Sequence, residues 1–124
     1  MTGLTSEEAR RIARQVLASQ ATEALVDDVL MVVSELVSNA VRHAGGVTGF
    51  SVRCDTGAVV VEVADASATH PRSPGTSAEV PGGFGWLLVN RLAERTEVRS
   101  RPGGKTITAF LHRPPHLPLP PAGH

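Results

Sequence analysis

Apolar positions recur with two different periods along this chain, and the changes of period divide it into elements. Ala9, Ile12, Ala13, Val16 and Leu17 fall at helical spacing, with Arg10, Arg11 and Arg14 on the other side, which predicts an amphipathic helix. Thr5, followed three residues later by Glu8, forms a capping-box pattern at its start. The same spacing predicts a longer helix from about Thr22 to His43, with Val29, Val33, Leu36, Val37, Ala40 and Ala44 in one stripe. Gly45-Gly46 stops it. The period then falls to two. Val47 to Cys54 places Thr48, Phe50, Val52 and Cys54 on one face, and Asp55-Thr56-Gly57 reads as a turn. Ala58 to Ala64 is a β-branched run with Asp65 at its end.

No period survives from Ala66 to Pro81, which predicts a long loop of the lid type. Gly82-Gly83-Phe84-Gly85 then opens a third helix, to about Arg95, on Phe84, Leu87, Leu88 and Leu92. Thr96 to Ser100 and Lys105 to His112 read as a closing hairpin around Pro102-Gly103-Gly104. The chain thus divides into one domain over residues 1–112 and a Pro-rich tail over 113–124, expected to be extended and disordered. The order α-α-β-β-loop-α-β-β predicts an α+β fold, a two-layer α/β sandwich with a mixed, mostly antiparallel sheet.

Composition narrows the function classes. The 124 residues carry 12 Lys+Arg against 12 Asp+Glu, so no polybasic surface for nucleic acid or membrane is expected. A single cysteine, Cys54, excludes a disulfide framework. With no 18-residue apolar run and no signal-peptide core, the expected location is cytoplasmic.

Three features carry candidate chemistry. At about 100° per residue, Glu35, Asn39 and His43 form one column on the second helix, along the edge of the apolar stripe where a cleft wall would stand. Gly82-Gly83-Phe84-Gly85 precedes a helix, where exposed backbone N–H groups can bind phosphate. Asp65 ends a strand just before the long loop, where its carboxylate can accept from a ligand amine or cap the turn. Gly104-Lys105-Thr106 is not a P-loop, because that motif needs glycine where Arg99 stands. Trp86 reads as a packing residue, Cys54 as a half-buried strand residue, and the histidines are too scattered for a metal site.

Together these features resemble the GHKL superfamily of ATP-binding domains, and within it the small bacterial anti-sigma-factor serine kinases. Glu35 to Ala44 is similar to the N-box, Val63-Ala64-Asp65 to the start of the G1 box, and Gly83 to Val89 to the G2 box. Gly103-Gly104-Lys105-Thr106 resembles the closing turn and strand. The resemblance spans about Thr5 to about Leu111 and implies the Bergerat ATP-binding fold. One departure stands out: the family has D-x-G-x-G, whereas Asp65 is followed by Ala66, Ser67, Ala68 and Thr69. The departure bears on ATP affinity rather than on the fold.

The resemblance also implies roles. Glu35 would be the general base, and Asn39 would hold Mg²⁺ bridging the ATP phosphates. Arg42 and His43 would lie near the phosphates or support the helix end. Asp65 would recognise the adenine amino group, with Thr106 close by. Gly83, Gly85 and the N–H groups after them, those of Trp86 and Leu87, would hold phosphates, and residues 66–82 would form the ATP lid. The implied function is an ATP-dependent serine/threonine protein kinase acting as an anti-sigma factor. Its partners would be a sigma factor and an antagonist protein, with a homodimer common in that class. The alternative is a weakly ATP-binding or non-catalytic module that sequesters a protein partner. A histidine-kinase catalytic domain fits less well, because the residues before Thr22 are too few for a dimerisation hairpin.

Overall fold

A computed structural model of the chain describes residues 3–67 and 83–114. Most of the expected lid and of the Pro-rich tail lie outside these residues. Three helices and four strands are present among them: α1 (Ser6–Leu17), α2 (Glu23–His43), β1 (Val47–Asp55), β2 (Ala58–Asp65), α3 (Gly83–Leu92), β3 (Arg95–Arg101) and β4 (Gly104–His112).

The first two helices begin where their cap chemistry dictates. The Glu8 N–H donates to Thr5 Oγ1 at 3.1 Å, and the Thr5 N–H donates to Glu8 Oε1 at 3.0 Å, which completes the capping box. The Thr5 N–H and then the Thr5 hydroxyl, both donating to the Glu8 carboxylate, lower that carboxyl from its ordinary value. Thr22 caps α2 by accepting from the Leu25 N–H at 3.2 Å. Replacing Thr22 with alanine should cost about 1 kcal/mol, measurable as a lower urea midpoint with an unchanged slope. Valine is a modest helix former, yet Val29, Val32, Val33 and Val37 are fully buried on α2, so burial overrides propensity here. At the far end Gly45 and Gly46 adopt φ of 74° and 100°, and the Gly46 N–H returns to the Ala40 carbonyl at 2.8 Å.

The sheet order is β1-β2-β4-β3, and all three pairings are antiparallel. The mixed sheet of the expectation is therefore antiparallel throughout the described residues. Two-residue turns close both hairpins, with Gly57 and Gly103 at φ of 84° and 79°. Alternation sorts the strands into two faces. Val59, Val61, Val63, Ile107, Ala109 and Leu111 face the helices and join Leu17, Val33, Leu36 and Val89 in one core. Glu62, Thr106, Thr108 and Phe110 face the other way, beside Arg53, Glu97 and Arg99. Cys54 is half-buried against the core, and burial pushes its thiol up, so it stays protonated at neutral pH.

Two element ends differ from expectation. α3 stops at Leu92 rather than near Arg95. The Glu94 N–H is captured by the Phe110 carbonyl at 2.7 Å, and Arg95 pairs with Phe110 and lays its guanidinium 3.8 Å over the ring centre. Sheet pairing and this cation–π contact replace the last helical turn. Arg113, the first residue of the expected tail, is tied to the domain through Gly57 and Gln20, accepting residues at 3.0 Å each.

Candidate functional site

The end of α2 supplies the first wall of the site. Glu35 is half-buried on α2, and its carboxylate lies directly against Gly85 in the first turn of α3. A Cβ on Gly85 would overlap Glu35 Oε2, so only glycine leaves this carboxylate where it stands. Asn39, one turn on, is also half-buried, and its Oδ1 accepts from the exposed Arg42 guanidinium at 3.4 Å. His43 is exposed on the last turn. Glu35 thus faces α3 and Asn39 follows it one turn on, whereas Arg42 and His43 are exposed at the end of α2.

α3 supplies the second wall. Gly83, Phe84 and Gly85 occupy its first turn, where backbone N–H groups have no partner within the helix. The expectation extended this role to Trp86 and Leu87. Their N–H groups lie further into the helix than those of Gly83 and Gly85. Trp86 packs against the core, while Leu87 is exposed.

The third wall is the end of the β2–β4 pair, and here the structure departs most from the sequence reading. Asp65 and Lys105 are direct partners across the two strands. Both are buried, with side chains 3% and 5% exposed, and Lys105 Nζ stands 2.9 Å from Asp65 Oδ2. Asp65 Oδ1 accepts from the Ser67 N–H at 2.9 Å, and Lys105 Nζ also donates to the Ser67 carbonyl at 3.3 Å. The Ala66 N–H reaches the Ala44 carbonyl at 3.1 Å, which ties this corner to the end of α2. Gly104 is required beside it, because a Cβ there would overlap the Asp65 carbonyl oxygen.

Thr106 does not join this corner. It lies one residue out of phase, on the opposite face of the sheet, and its hydroxyl accepts from Arg101 at 2.7 Å. The residue beside Asp65 is Lys105. Its signal was present in the sequence: Lys105 shares the alternation of Ile107, Ala109 and Leu111, all of which face the helices.

A shallow groove of roughly 380 Å³ runs over the helices and includes Arg10, Arg14, Met31, Ser34, Glu35 and Leu88. Arg10 donates to Ser34 Oγ at 3.1 Å, and Met31 is 49% exposed. Glu35 therefore faces this groove as well as α3.

Residues 4–111 match the family described as the histidine kinase-like ATPase domain. The chain belongs to that family. The α+β fold and the GHKL ATP-binding type that the motifs resemble follow from this membership. Among solved structures, the chain is similar to the histidine kinase domain of the blue-light activated histidine kinase EL346 from Erythrobacter litoralis. The identity is 19% and the TM-score 0.55, over 86% of this chain and 63% of that one, so the likeness bears on the fold alone. The chain spans less than two thirds of that domain. No curated protein matches it in sequence. Among the described residues, no helix is long and apolar enough to cross a membrane.

This ATPase domain carries groups of the kind its family's ligand takes at both ends. The first turn of α3 leaves the N–H groups of Gly83, Phe84 and Gly85 without partners inside the helix, the kind of donor a phosphate takes. Asn39 offers the kind of oxygen donor that Mg²⁺ takes alongside water and phosphate. Asp65 has about four lone-pair positions, and Lys105 and Ser67 engage it from one position each.

Proposed function

We propose that the chain is an ATP-dependent serine/threonine protein kinase acting as an anti-sigma regulatory factor. It would bind a sigma factor and phosphorylate an antagonist protein, in the cytoplasm and as a homodimer. The observation that carries the kinase reading is the contact of Glu35 with Gly85, which sets a carboxylate beside the first turn of α3. The resemblance of the N-box and G2 box to small anti-sigma kinases supports the regulatory part.

In this reading Asn39 would hold Mg²⁺, which would supply positive charge against the phosphates. The N–H groups of Gly83 and Gly85 hold phosphate oxygens, and Asp65 accepts from the adenine amine. Glu35 takes the proton from a serine or threonine hydroxyl as that oxygen bonds to the γ-phosphorus and the bond to the β-phosphate oxygen breaks. The groove carrying Arg10, Arg14 and Met31 runs up to Glu35 and suits a substrate segment with acidic and apolar side chains.

A second reading, a partner-binding module with weak ATP affinity, is favoured by the Lys105 and Ser67 bonds already made to Asp65. Calorimetry with millimolar Mg-ATP and transfer of labelled γ-phosphate to a serine-bearing antagonist separate the two. The kinase reading expects both binding and labelling. If Mg-ATP does not bind, it fails; binding without labelling favours the module. Gly85→Ala provides a further check. The added methyl displaces the flexible end of Glu35 rather than backbone, so the fold should hold. Transfer should fall roughly 100-fold, as a 1 Å misplacement can cost, with the thermal midpoint nearly unchanged.

A further inference from the structure

Lys105 is the only lysine among the chain's 12 Lys+Arg, and it is buried at the site. We propose that Lys105 is a positioning residue that keeps Asp65 an acceptor for a 6-amino purine, and so sets the choice of nucleobase. This rests on the ATP-binding reading above.

The geometry is a clamp. Lys105 Nζ bridges Asp65 Oδ2 and the Ser67 carbonyl, while the Ser67 N–H holds Asp65 Oδ1. The clamp fixes the orientation of the carboxylate. It also fixes the first turn after β2, where the G1 glycines of the family are missing. Those glycines give the backbone room near a base; here bonds from side chain to backbone hold the path instead. A compact ammonium suits this place, since it can point separate protons at a carboxylate and a carbonyl.

The clamp has a chemical consequence for the base. An ionised carboxylate only accepts hydrogen bonds, so it takes a 6-amino group and repels a 6-oxo group. Without Lys105 the same carboxylate is buried with no counter-charge, and burial favours its neutral form. A neutral carboxyl donates, and a 6-oxo purine then fits as well as a 6-amino one. Lys105 thus acts on the base only through Asp65. A purely structural lysine would weaken all nucleotides alike.

The test is calorimetry of Mg-ATP and Mg-inosine triphosphate on the full chain. Wild type should prefer ATP by about tenfold or more, the worth of one discriminating hydrogen bond. Lys105→Met should collapse that ratio to near unity, chiefly by weakening ATP. Lys105→Arg, which keeps the charge, should retain the preference. Lys105→Gln, which keeps a donor but drops the charge, serves if the methionine variant does not fold, and should also lose the preference. A ratio unchanged in the uncharged variants, or equal losses for both nucleotides, overturns the proposal while leaving ATP binding intact. Wild type that binds neither nucleotide overturns the ATP reading and this inference with it.

Discussion

Glu35→Gln should lower phosphoryl transfer by about 10²- to 10⁴-fold, the usual worth of a positioned general base, while leaving Mg-ATP binding close to wild type. Glutamine has the same length and volume, so it fills the same place beside Gly85. What it loses is the capacity to take the hydroxyl proton. The split between transfer and binding is therefore diagnostic. If Glu35 only packed α2 against α3, the amide would serve equally well and transfer would persist. If Glu35 supported nucleotide binding, affinity would fall too. Single-turnover labelling with saturating Mg-ATP, alongside calorimetry, distinguishes these outcomes.

The second large effect concerns stability. Lys105→Met should destabilise the fold by about 3–5 kcal/mol, because Asp65 loses its counter-charge and its buried carboxyl must then be unpaired or held neutral. The combination Asp65→Asn with Lys105→Met should recover most of that loss. Asparagine can still accept from the Ser67 N–H, and methionine replaces the apolar stem of lysine. Denaturant midpoints of wild type, the two single variants and the double variant form the cycle. A coupling energy near zero would mean that the pair does not act as a unit. The same corner would then owe its form to Gly104 and to strand pairing.

These two predictions draw on different kinds of information. Glu35 and Asn39 were legible because one helical column at the edge of an apolar stripe marks a cleft wall, and their spacing needs no tertiary knowledge. That Glu35 meets Gly85 was not legible, since nothing local relates residues 50 positions apart. The Asp65–Lys105 pair lies between these extremes. Each residue is in phase with the inward face of its strand, yet the resemblance to a family motif drew attention to Thr106. The period of two decides the matter: a shift of one residue sends the side chain to the other face of the sheet.

By itself the sequence determined what depends on neighbours along the chain. The capping box at Thr5, the stop at Gly45-Gly46, both hairpin turns and the apolar stripe of α2 all follow from local sterics, local hydrogen bonds and side-chain periodicity, and on α1 the stripe holds at Ala9, Ala13 and Leu17 while Ile12 is exposed. Only the tertiary structure decided what depends on elements meeting. It ended α3 at Leu92 by giving the Glu94 N–H to the Phe110 carbonyl, and it registered Asp65 against Lys105. It also set the Glu35 carboxylate against the one kind of residue, glycine, that leaves it room. Each of these is a long-range contact, made between residues that no local pattern along the chain brings together.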